Sequence, residues 1–345
     1  MIKTPVLALL LFTLALSACH PTPETSGPML LSLEAEEIQV DAIVSGGSSM
    51  AYKDYLIKKT HYKDEAVFQI FRLPDDSFQW NSLRRGRGPG EIGNPASWAL
   101  DEANGILWLA DWNKNCMHLI LLDSLVSVPS YKPSFSFPLK EEWIPTMNMF
   151  FHPSGNIGFT SSMLPKHLIS VMDLEGNLVD SLCVPKNFLN DMYDEMGISD
   201  VPLVIRYIPH RNQCLVMSRW ENKFWILGMD GTVAMQIDDI PEESQKLYTG
   251  DWEGSFYTVD FDETYLFFIY SGKKMIQFDS NGESTITYPK RLLVVDWEGN
   301  FLYDITLDHG IIFATLDKER KRLICDSEEV ENLLVSYDLS WLYEE

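Results

Sequence analysis

One short motif, a turn followed by an apolar strand, recurs six times along this chain of 345 residues. The turns are centred on Asp54, Gly105, Gly155, Asn212, Glu263 and Arg320. Successive turns are therefore between 50 and 57 residues apart. A repeat of this length is typical of propellers and solenoids, in which each unit is one small piece of supersecondary structure. The repeat limits the fold to radial or linear repetition of six β-rich units.

A further apolar strand follows each motif after about ten residues, as expected for hairpins. These strands begin at Val67, Met117, His167, Lys223 and Asn332. The fifth unit offers two candidates, one beginning at Met275 and one at Leu292. Helical periodicity is almost absent, apart from residues 186–197, which we interpret as an insertion between the third and fourth units.

Six hairpin-rich units predict an all-β fold, a six-bladed β-propeller of four-stranded sheets. A solenoid would leave two exposed ends, and the sequence offers no capping segments. The last unit ends too early to supply a fourth strand. We therefore expect part of the apolar-rich segment 29–44 to complete the last blade and remove the exposed sheet edges.

The N-terminus has the features of a secretory signal. Lys3 precedes an apolar run, Val6–Leu16, which is too short to span a bilayer. The run ends in Leu16-Ser17-Ala18-Cys19, which resembles a lipobox, the site where a lipid is attached to cysteine and the signal is removed. We predict a lipoprotein signal at 1–18, a lipidated Cys19 with its tether at 19–28, and the propeller at 29–345. The alternative is an ordinary signal cut near Ala18.

The predicted tether has no large apolar residue, so we interpret it as a flexible link between lipid and fold. Acyl chains would attach the protein to a membrane without a transmembrane helix. The residue after Cys19 is His20, not the aspartate that retains many lipoproteins in the inner membrane. Its identity favours an outer-membrane location in the cell envelope.

The charge of the chain restricts its partners. A mature chain beginning at Cys19 has 26 basic and 50 acidic residues, a net charge of −24. Such a chain repels phosphate backbones, so nucleic acid is not an expected partner. The remaining cysteines, Cys116, Cys183, Cys214 and Cys325, are widely spaced and form no CxxC pair. They favour buried thiols over a metal site, although an exported compartment permits disulfides.

Several motifs together resemble one known group of proteins. The first blade is followed by Arg85-Gly-Arg-Gly-Pro-Gly-Glu-Ile-Gly-Asn-Pro95, and the fifth unit carries a Tyr270-Ser-Gly272 turn and an Asp296-Trp-Glu-Gly-Asn300 turn. With the lipobox, this set resembles the TolB-like, or NHL-repeat-like, six-bladed propeller lipoproteins. That family is largely uncharacterised, so the resemblance implies fold and location but almost no chemistry.

Propeller ligands usually bind at one mouth of the central channel, where loops after the second strand and between blades meet. These loops carry Tyr62, Trp112, Asn113, Met163, His167, Arg219, Trp220, Tyr270 and Lys273, and the loop after blade one carries Arg84, Arg85 and Arg87. Exposed aromatic faces stack on sugars or peptide side chains, and arginine forks suit carboxylates and phosphates. We predict a glycan, peptide or protein ligand, with Arg84, Arg85, Arg87, Trp112, Asn113, Arg219, Trp220 and Tyr270 as candidate ligand-binding residues. A purely structural role for these residues is the alternative.

Catalytic motifs give no support for an enzyme. The sequence contains no G-x-S-x-G, H-E-x-x-H or phosphate-loop motif, so we expect no cofactor and no catalytic residue. The alternative function is a calcium-dependent lactonase, because some six-bladed propellers are of that type and Asp111, Asn113, Asp260 and Asp326 offer oxygen ligands. A third possibility is an assembly module that uses the outer faces of the blades.

Overall fold

The computed structural model describes residues 27–140, 149–152, 154–160, 167–183, 203–218, 224–237, 256–271, 276–278 and 283–344. Regular structure in these ranges is almost entirely β, arranged as a six-bladed β-propeller. The helical elements among the described residues are one short α-helix, α1 (Leu122–Leu125), and the 3-10 helices Pro209–Arg211 and Ser340–Tyr343. No helix in the described part of the chain is long and apolar enough to cross a membrane.

Within each blade the strands pair antiparallel in chain order, and two N-terminal strands add to the last two blades. Blade one contains β3 (Ser49–Tyr52), β4 (Tyr55–Lys59), β5 (Ala66–Arg72) and β6 (Ser77–Arg84). Blade two contains β7 (Pro95–Asp101), β8 (Ile106–Asp111), β9 (Cys116–Leu121) and β10 (Phe135–Pro138). Blade three contains β11 (Met149–Phe151), β12 (Ile157–Phe159), β13 (His167–Met172) and β14 (Leu178–Cys183).

The second half of the ring follows the same plan. Blade four contains β15 (Leu203–Ile208), β16 (Gln213–Ser218), β17 (Phe224–Gly228) and β18 (Val233–Ile237). Blade five contains β19 (Phe256–Phe261), β20 (Tyr265–Tyr270), β23 (Arg291–Asp296) and β24 (Phe301–Leu307). Blade six contains β25 (Phe313–Asp317), β26 (Arg322–Asp326) and β27 (Leu334–Asp338). The first strands of neighbouring blades contact one another, for example β3 with β25 and β7 with β11, so they surround the central axis.

The six predicted turn-and-strand motifs are the second strands of the six blades, as the repeat indicated. In blade five the third strand is the candidate at Leu292, which lies in β23. The other candidate contributes to a separate hairpin of β21 (Ile276–Phe278) and β22 (Ser284–Ile286) inserted between β20 and β23. The predicted helix at 186–197 lies outside the described residues.

The second and third strands of the blades are deeply buried, since neighbouring blades cover both of their faces. Five of the six residues of β8 are buried, as are five of six in β20. A strand covered on both faces is a continuous apolar run without alternation. This explains why these strands mark the repeat in the sequence.

The N-terminal segment completes the last blade, as predicted. β2 (Glu36–Glu37) pairs antiparallel with β27 and supplies the outermost strand of blade six. The sequence did not predict the strand before it. β1 (Met29–Leu33) pairs in parallel with β24 and adds a fifth strand to blade five. The N-terminal segment therefore bridges the outer edges of two blades.

Apolar packing lies between the blades. Each of the six clusters of buried apolar residues joins two adjacent blades. The cluster between blades six and one contains six buried residues, whereas the other five clusters contain ten or more among the described residues. The interface that closes the ring is thus the poorest in apolar contacts.

A buried ion pair lies at this closing interface. Lys58 of blade one and Asp326 of blade six pair directly, and their side chains are 0% and 2% exposed. The Lys58 ammonium also donates to the Gly47 carbonyl at 2.9 Å, and Asp326 accepts the Gly47 amide at 3.2 Å. Burial lowers the pKa of Lys58 and raises that of Asp326, because each charge has lost its water. The charged form of each residue is therefore stabilised by the charge of the other.

Further polar contacts join the same two blades at the other end of the interface. Arg322 donates to both carboxylate oxygens of Asp76, at 2.7 and 2.9 Å, and to the Leu73 carbonyl at 3.0 Å. Arg320 pairs with Asp54. The first and last blades are consequently held by charged and polar groups at both ends of a small apolar cluster.

We predict that Lys58→Met lowers the free energy of unfolding by about 3–5 kcal/mol, because it leaves the Asp326 carboxylate buried without its cation. Urea denaturation measures the loss. Lys53→Met is the matched control, since the Lys53–Asp123 pair is exposed and its removal should change little. The double variant Lys58→Met/Asp326→Leu should regain most of the loss. If Lys58→Met is as stable as Lys53→Met, the buried pair has no structural role.

Candidate functional site

The loop between blades one and two is the best-defined candidate region. It leaves β6 and closes on itself through hydrogen bonds from the Gly86 amide to the Ile92 carbonyl and from the Ile92 amide to the Arg84 carbonyl, at 2.8 and 3.0 Å. The Glu91 carboxylate folds back and accepts the Gly88 amide at 2.8 Å. A β-carbon on Gly86 would lie 2.1 Å from a Glu91 oxygen, so glycine permits this close approach. We call residues 84–94 the glycine loop.

Blade two holds the other side of the glycine loop. Lys114 donates to the carbonyls of Gly88 and Glu91 at 2.9 and 2.6 Å. Asp111 accepts the amides of Gly93 and Asn94 at 2.6 and 2.9 Å. Side chains of blade two and backbone atoms of the glycine loop therefore hold the shape of the loop together.

The Asp111 carboxyl is ionised despite its burial. Desolvation would raise its pKa, but hydrogen bonds from His118 and from the amides of Asn94 and Gly93 outweigh that effect and hold the pKa at about 2. Asp111 also accepts the amide of Asn113 at 3.0 Å, so it orders the turn after β8. A fixed negative charge thus lies under the glycine loop.

The three arginines of the loop have different surroundings. Arg85 donates to the Asp64 carbonyl at 3.0 Å, the Thr60 hydroxyl at 3.1 Å and the His61 carbonyl at 3.2 Å, so it caps the preceding turn of blade one. Burial lowers the pKa of Arg85. These hydrogen bonds give Arg85 a structural role in the turn of blade one.

Arg84 and Arg87 are the exposed members of the three. The Arg84 side chain is 80% exposed and lies 3.6 Å from a Glu91 carboxylate oxygen. Arg87 is exposed and forms no side-chain hydrogen bond or ion pair with the described residues. These two guanidinium groups are available to a ligand.

Two exposed aromatic residues flank the glycine loop. Tyr62 is 64% exposed in the turn that Arg85 caps, and Trp112 is 43% exposed in the turn that Asp111 orders. The Trp112 amide donates to the Asn94 carbonyl at 3.0 Å, which connects the turn to the loop. Asn113 lies beside Gly93 in the same turn. Arg84 and Arg87 of the glycine loop therefore lie near the turn that carries Trp112 and Asn113.

Tyr270 is placed differently from the sequence expectation. Its ring is fully buried in the apolar cluster between blades four and five, with the Arg291 guanidinium 5.1 Å from the ring centroid. The Tyr-Ser-Gly pattern suggested an exposed turn, but Tyr270 is the last residue of β20 and points into the core. It therefore presents no aromatic face to solvent. Cys19, Met163, Arg219, Trp220 and Lys273 lie outside the described residues.

A groove of about 770 Å³ opens beside the glycine loop. Arg84, Pro89 and Glu91 form one wall. Asp64 and Glu65 of blade one and Tyr131 and Lys132 of blade two contribute the other walls. Its volume is in the range of sites that bind small ligands. Arg84 of the predicted arginine cluster therefore faces a concave surface, which the sequence could not show.

Two of the three carboxylates proposed for calcium, Asp260 and Asp326, already have protein partners. Asp260 accepts the Leu316 amide at 2.9 Å, and Asp326 is paired with Lys58. Among the described residues, the close groups of possible metal ligands include neither of them. These contacts do not favour the calcium-dependent alternative over the binding hypothesis.

A different cluster, Asp111, Cys116 and His118, lies inside blade two and was not predicted. Cys116 Sγ is 3.3 Å from His118 Nε2, which is 3.4 Å from Asp111 Oδ2. Burial and the charge of Asp111 raise the pKa of Cys116 to about 11, so without a metal it is a thiol. The C-x-H spacing on a strand places both side chains on one face and is the only sequence signal of this cluster. Cys214 and Cys325 are also free thiols.

Solved structures of similar fold come from several sources. A member of the DUF4221 family from Bacteroides vulgatus has a TM-score of 0.62 at 9% identity, covering 89% of this chain and 94% of the other. A protein from Bacteroides fragilis described as a candidate exported protein has a TM-score of 0.57 at 11% identity, covering 90% and 99%. The WD40 repeats of RRP9 have a TM-score of 0.51 at 9% identity, covering 91% and 99%. These likenesses support the propeller fold. Comparison with family models and with curated proteins gives no match.

We predict that Arg85→Ala lowers the free energy of unfolding by about 1–3 kcal/mol, because the carbonyls and hydroxyl that it caps lose a charged donor. Arg87→Ala, two residues away in the same loop, should leave stability unchanged. Chemical denaturation of both variants provides the comparison. If Arg85→Ala is as stable as Arg87→Ala, the hydrogen bonds of Arg85 do not hold the turn of blade one.

Proposed function

We propose that this protein is an exported lipoprotein, anchored through Cys19, whose propeller binds a ligand beside the glycine loop and does not catalyse a reaction. The observation that carries the proposal is the groove of about 770 Å³, which Arg84 lines, together with the exposed Arg87 of the glycine loop and the exposed Tyr62 and Trp112 of the turns bonded to that loop. Rigid, hydrogen-bonded loops that present exposed arginine and aromatic groups are characteristic of recognition surfaces.

The surface chemistry favours a ligand that combines an apolar face with an acidic group. Tyr62 and Trp112 offer flat faces for a sugar ring or a peptide side chain. Arg84 and Arg87 offer positive charge within a strongly acidic protein, which directs a carboxylate or phosphate to this region. A glycan with uronic acids is the first candidate. An acidic peptide or the acidic surface of a partner protein presents related groups.

The anchoring part of the proposal rests on the sequence. Residues 1–18 are the proposed lipoprotein signal, 19–28 the lipidated cysteine and tether, and 29–345 the propeller. The lipobox and the uncharged residue after Cys19 favour the outer membrane. Kinship with the TolB-like or NHL-repeat-like lipoproteins is part of the same proposal and rests on the lipobox and the glycine-loop motif.

We predict that Cys19→Ser moves the protein from the membrane fraction to the soluble fraction, because no thiol remains for the lipid. Fractionation of cells that express each form, with immunoblotting, provides the measurement. Ala18→Gly keeps a small residue before the cysteine and should remain membrane-bound. A Cys19→Ser protein that stays in the membrane fraction would refute lipid anchoring without affecting the binding proposal.

We predict that Trp112→Ala and Arg87→Ala each weaken ligand binding by about tenfold or more, which corresponds to loss of one stacking or charged contact. The probes are neutral oligosaccharides, uronic-acid-containing oligosaccharides and acidic peptides, measured by titration calorimetry. Arg72→Ala is the matched control, because Arg72 ends β5 at the far side of blade one from Tyr62. A site beside the glycine loop would be contradicted if Arg72→Ala weakened binding as much as Arg87→Ala. It would also be contradicted if neither Trp112→Ala nor Arg87→Ala weakened binding.

A further inference from the structure

Three adjacent strands of blade two bring together side chains of complementary chemistry. Asp111 ends β8 and lies directly opposite Cys116, the first residue of β9. His118 lies two residues farther along β9, and Ser136 of β10 lies opposite His118. The pairing register of the blade therefore places a carboxylate, a thiol, an imidazole and a hydroxyl on one face of the sheet.

Two separations among the first three groups are close to those around one tetrahedral ion. Zinc at its usual distances from sulfur, nitrogen and oxygen would place the sulfur and nitrogen ligands about 3.6 Å apart and the nitrogen and oxygen ligands about 3.4 Å apart. Cys116 Sγ and His118 Nε2 are 3.3 Å apart, and His118 Nε2 and Asp111 Oδ2 are 3.4 Å apart. All three donor atoms lie within 4.8 Å of one another. The two separations from His118 Nε2 therefore differ from the tetrahedral values by no more than a few tenths of an ångström.

Hydrogen bonds outside the cluster already orient two of the ligands. His118 Nδ1 is 2.7 Å from the Ser136 hydroxyl, which leaves Nε2 facing Cys116 and Asp111. A hydrogen bond to the far ring nitrogen is the usual arrangement around a metal-binding histidine. Asp111 Oδ2 accepts one backbone amide, from Gly93, and retains a lone pair for a metal. The carboxylate is therefore held in place by the backbone before any ion arrives.

We propose that Asp111, Cys116 and His118 form a binding site for Zn²⁺ inside blade two. Thiolate and imidazole ligands suit zinc, whereas calcium and magnesium require oxygen ligands. Asp111 and His118 are buried and Cys116 is half-buried, so the site is shielded but reachable past the sulfur. This site lies beneath the proposed ligand surface, but the zinc proposal does not depend on a ligand binding there.

Charge balance supports the same ion. On binding, the Cys116 thiol releases its proton to solvent and the sulfur coordinates zinc as a thiolate. The carboxylate and thiolate together offset the two positive charges, which leaves a neutral site in a buried position. Three protein ligands leave the fourth tetrahedral position to a water molecule or an exogenous ligand. The ion would also link the two strands at the base of the turn that carries Trp112 and Asn113.

The test is titration of the full chain, purified in detergent, with Co²⁺ followed by Zn²⁺. We expect one equivalent of Co²⁺ to give the visible bands of a tetrahedral ion and a near-ultraviolet thiolate charge-transfer band, both abolished when Zn²⁺ displaces it. Cys116→Ser should lose the charge-transfer band, while Cys214→Ser, which removes a buried thiol in blade four, should retain it. Zinc should also raise the Tm of the wild-type chain but not that of Cys116→Ser.

A second variant keeps the test decisive if Cys116→Ser does not fold. Ser136→Ala removes only the hydroxyl that orients His118 and should weaken Zn²⁺ binding by about tenfold. Its circular dichroism spectrum should match that of the wild type. Absence of tetrahedral Co²⁺ bands in the wild-type chain would overturn the proposal and leave the cluster as a hydrogen-bonding network. A thiolate charge-transfer band that persists in Cys116→Ser, or a Zn²⁺ affinity that Ser136→Ala leaves unchanged, would place the metal at another site and would also overturn it.

Discussion

Closure of the ring depends on a small set of charged contacts between its first and last blades. Blades elsewhere in the propeller join through ten or more buried apolar residues, but blades six and one share six. This interface contains the buried pair of Lys58 and Asp326 and the hydrogen bonds from the Arg322 guanidinium to the Asp76 carboxylate. Apolar contacts are non-directional, whereas ionic groups bind only matched partners. Charged contacts therefore suit the one interface that must join two distant parts of the chain in a single register.

Much of the architecture could be predicted because burial leaves a pattern in the sequence. The second strand of each blade is covered on both faces, so it appears as an apolar run after a turn, and six such runs fix the number of blades. Outer strands such as β18 are mostly exposed and carry no comparable signal. The pairing of β1 is equally invisible in the local sequence, because Met29 lies opposite Tyr303, 274 residues farther along the chain. Strand order at the edge of the ring follows from contacts that local sequence does not specify.

The sequence predicted the loops that carry several candidate residues, but not the contacts that their side chains make. The repeat places Trp112, Asn113 and the three arginines in loops of neighbouring blades, and the structure brings these loops together. Whether an arginine is exposed or caps a turn depends on the carbonyls within its reach, so Arg85 and Arg87 look alike in sequence and differ in the fold. Tyr270 was misplaced because a strand can remain buried up to its last residue. The pairing of Cys116 with Asp111 becomes visible only in the register of blade two.

The parallel pairing of β1 with β24 determines where mechanical load enters the propeller. The N-terminal segment lies along blade five before it reaches blade six, where β2 completes the ring. A pull on the chain from the proposed anchor at Cys19 would meet the five residue pairs of β1 and β24 before it reached the two pairs of β2 and β27. Force along a parallel ladder loads several hydrogen bonds at once. β1 would therefore bear the force first. Tension from a membrane tether would not reach β2, the strand that completes blade six.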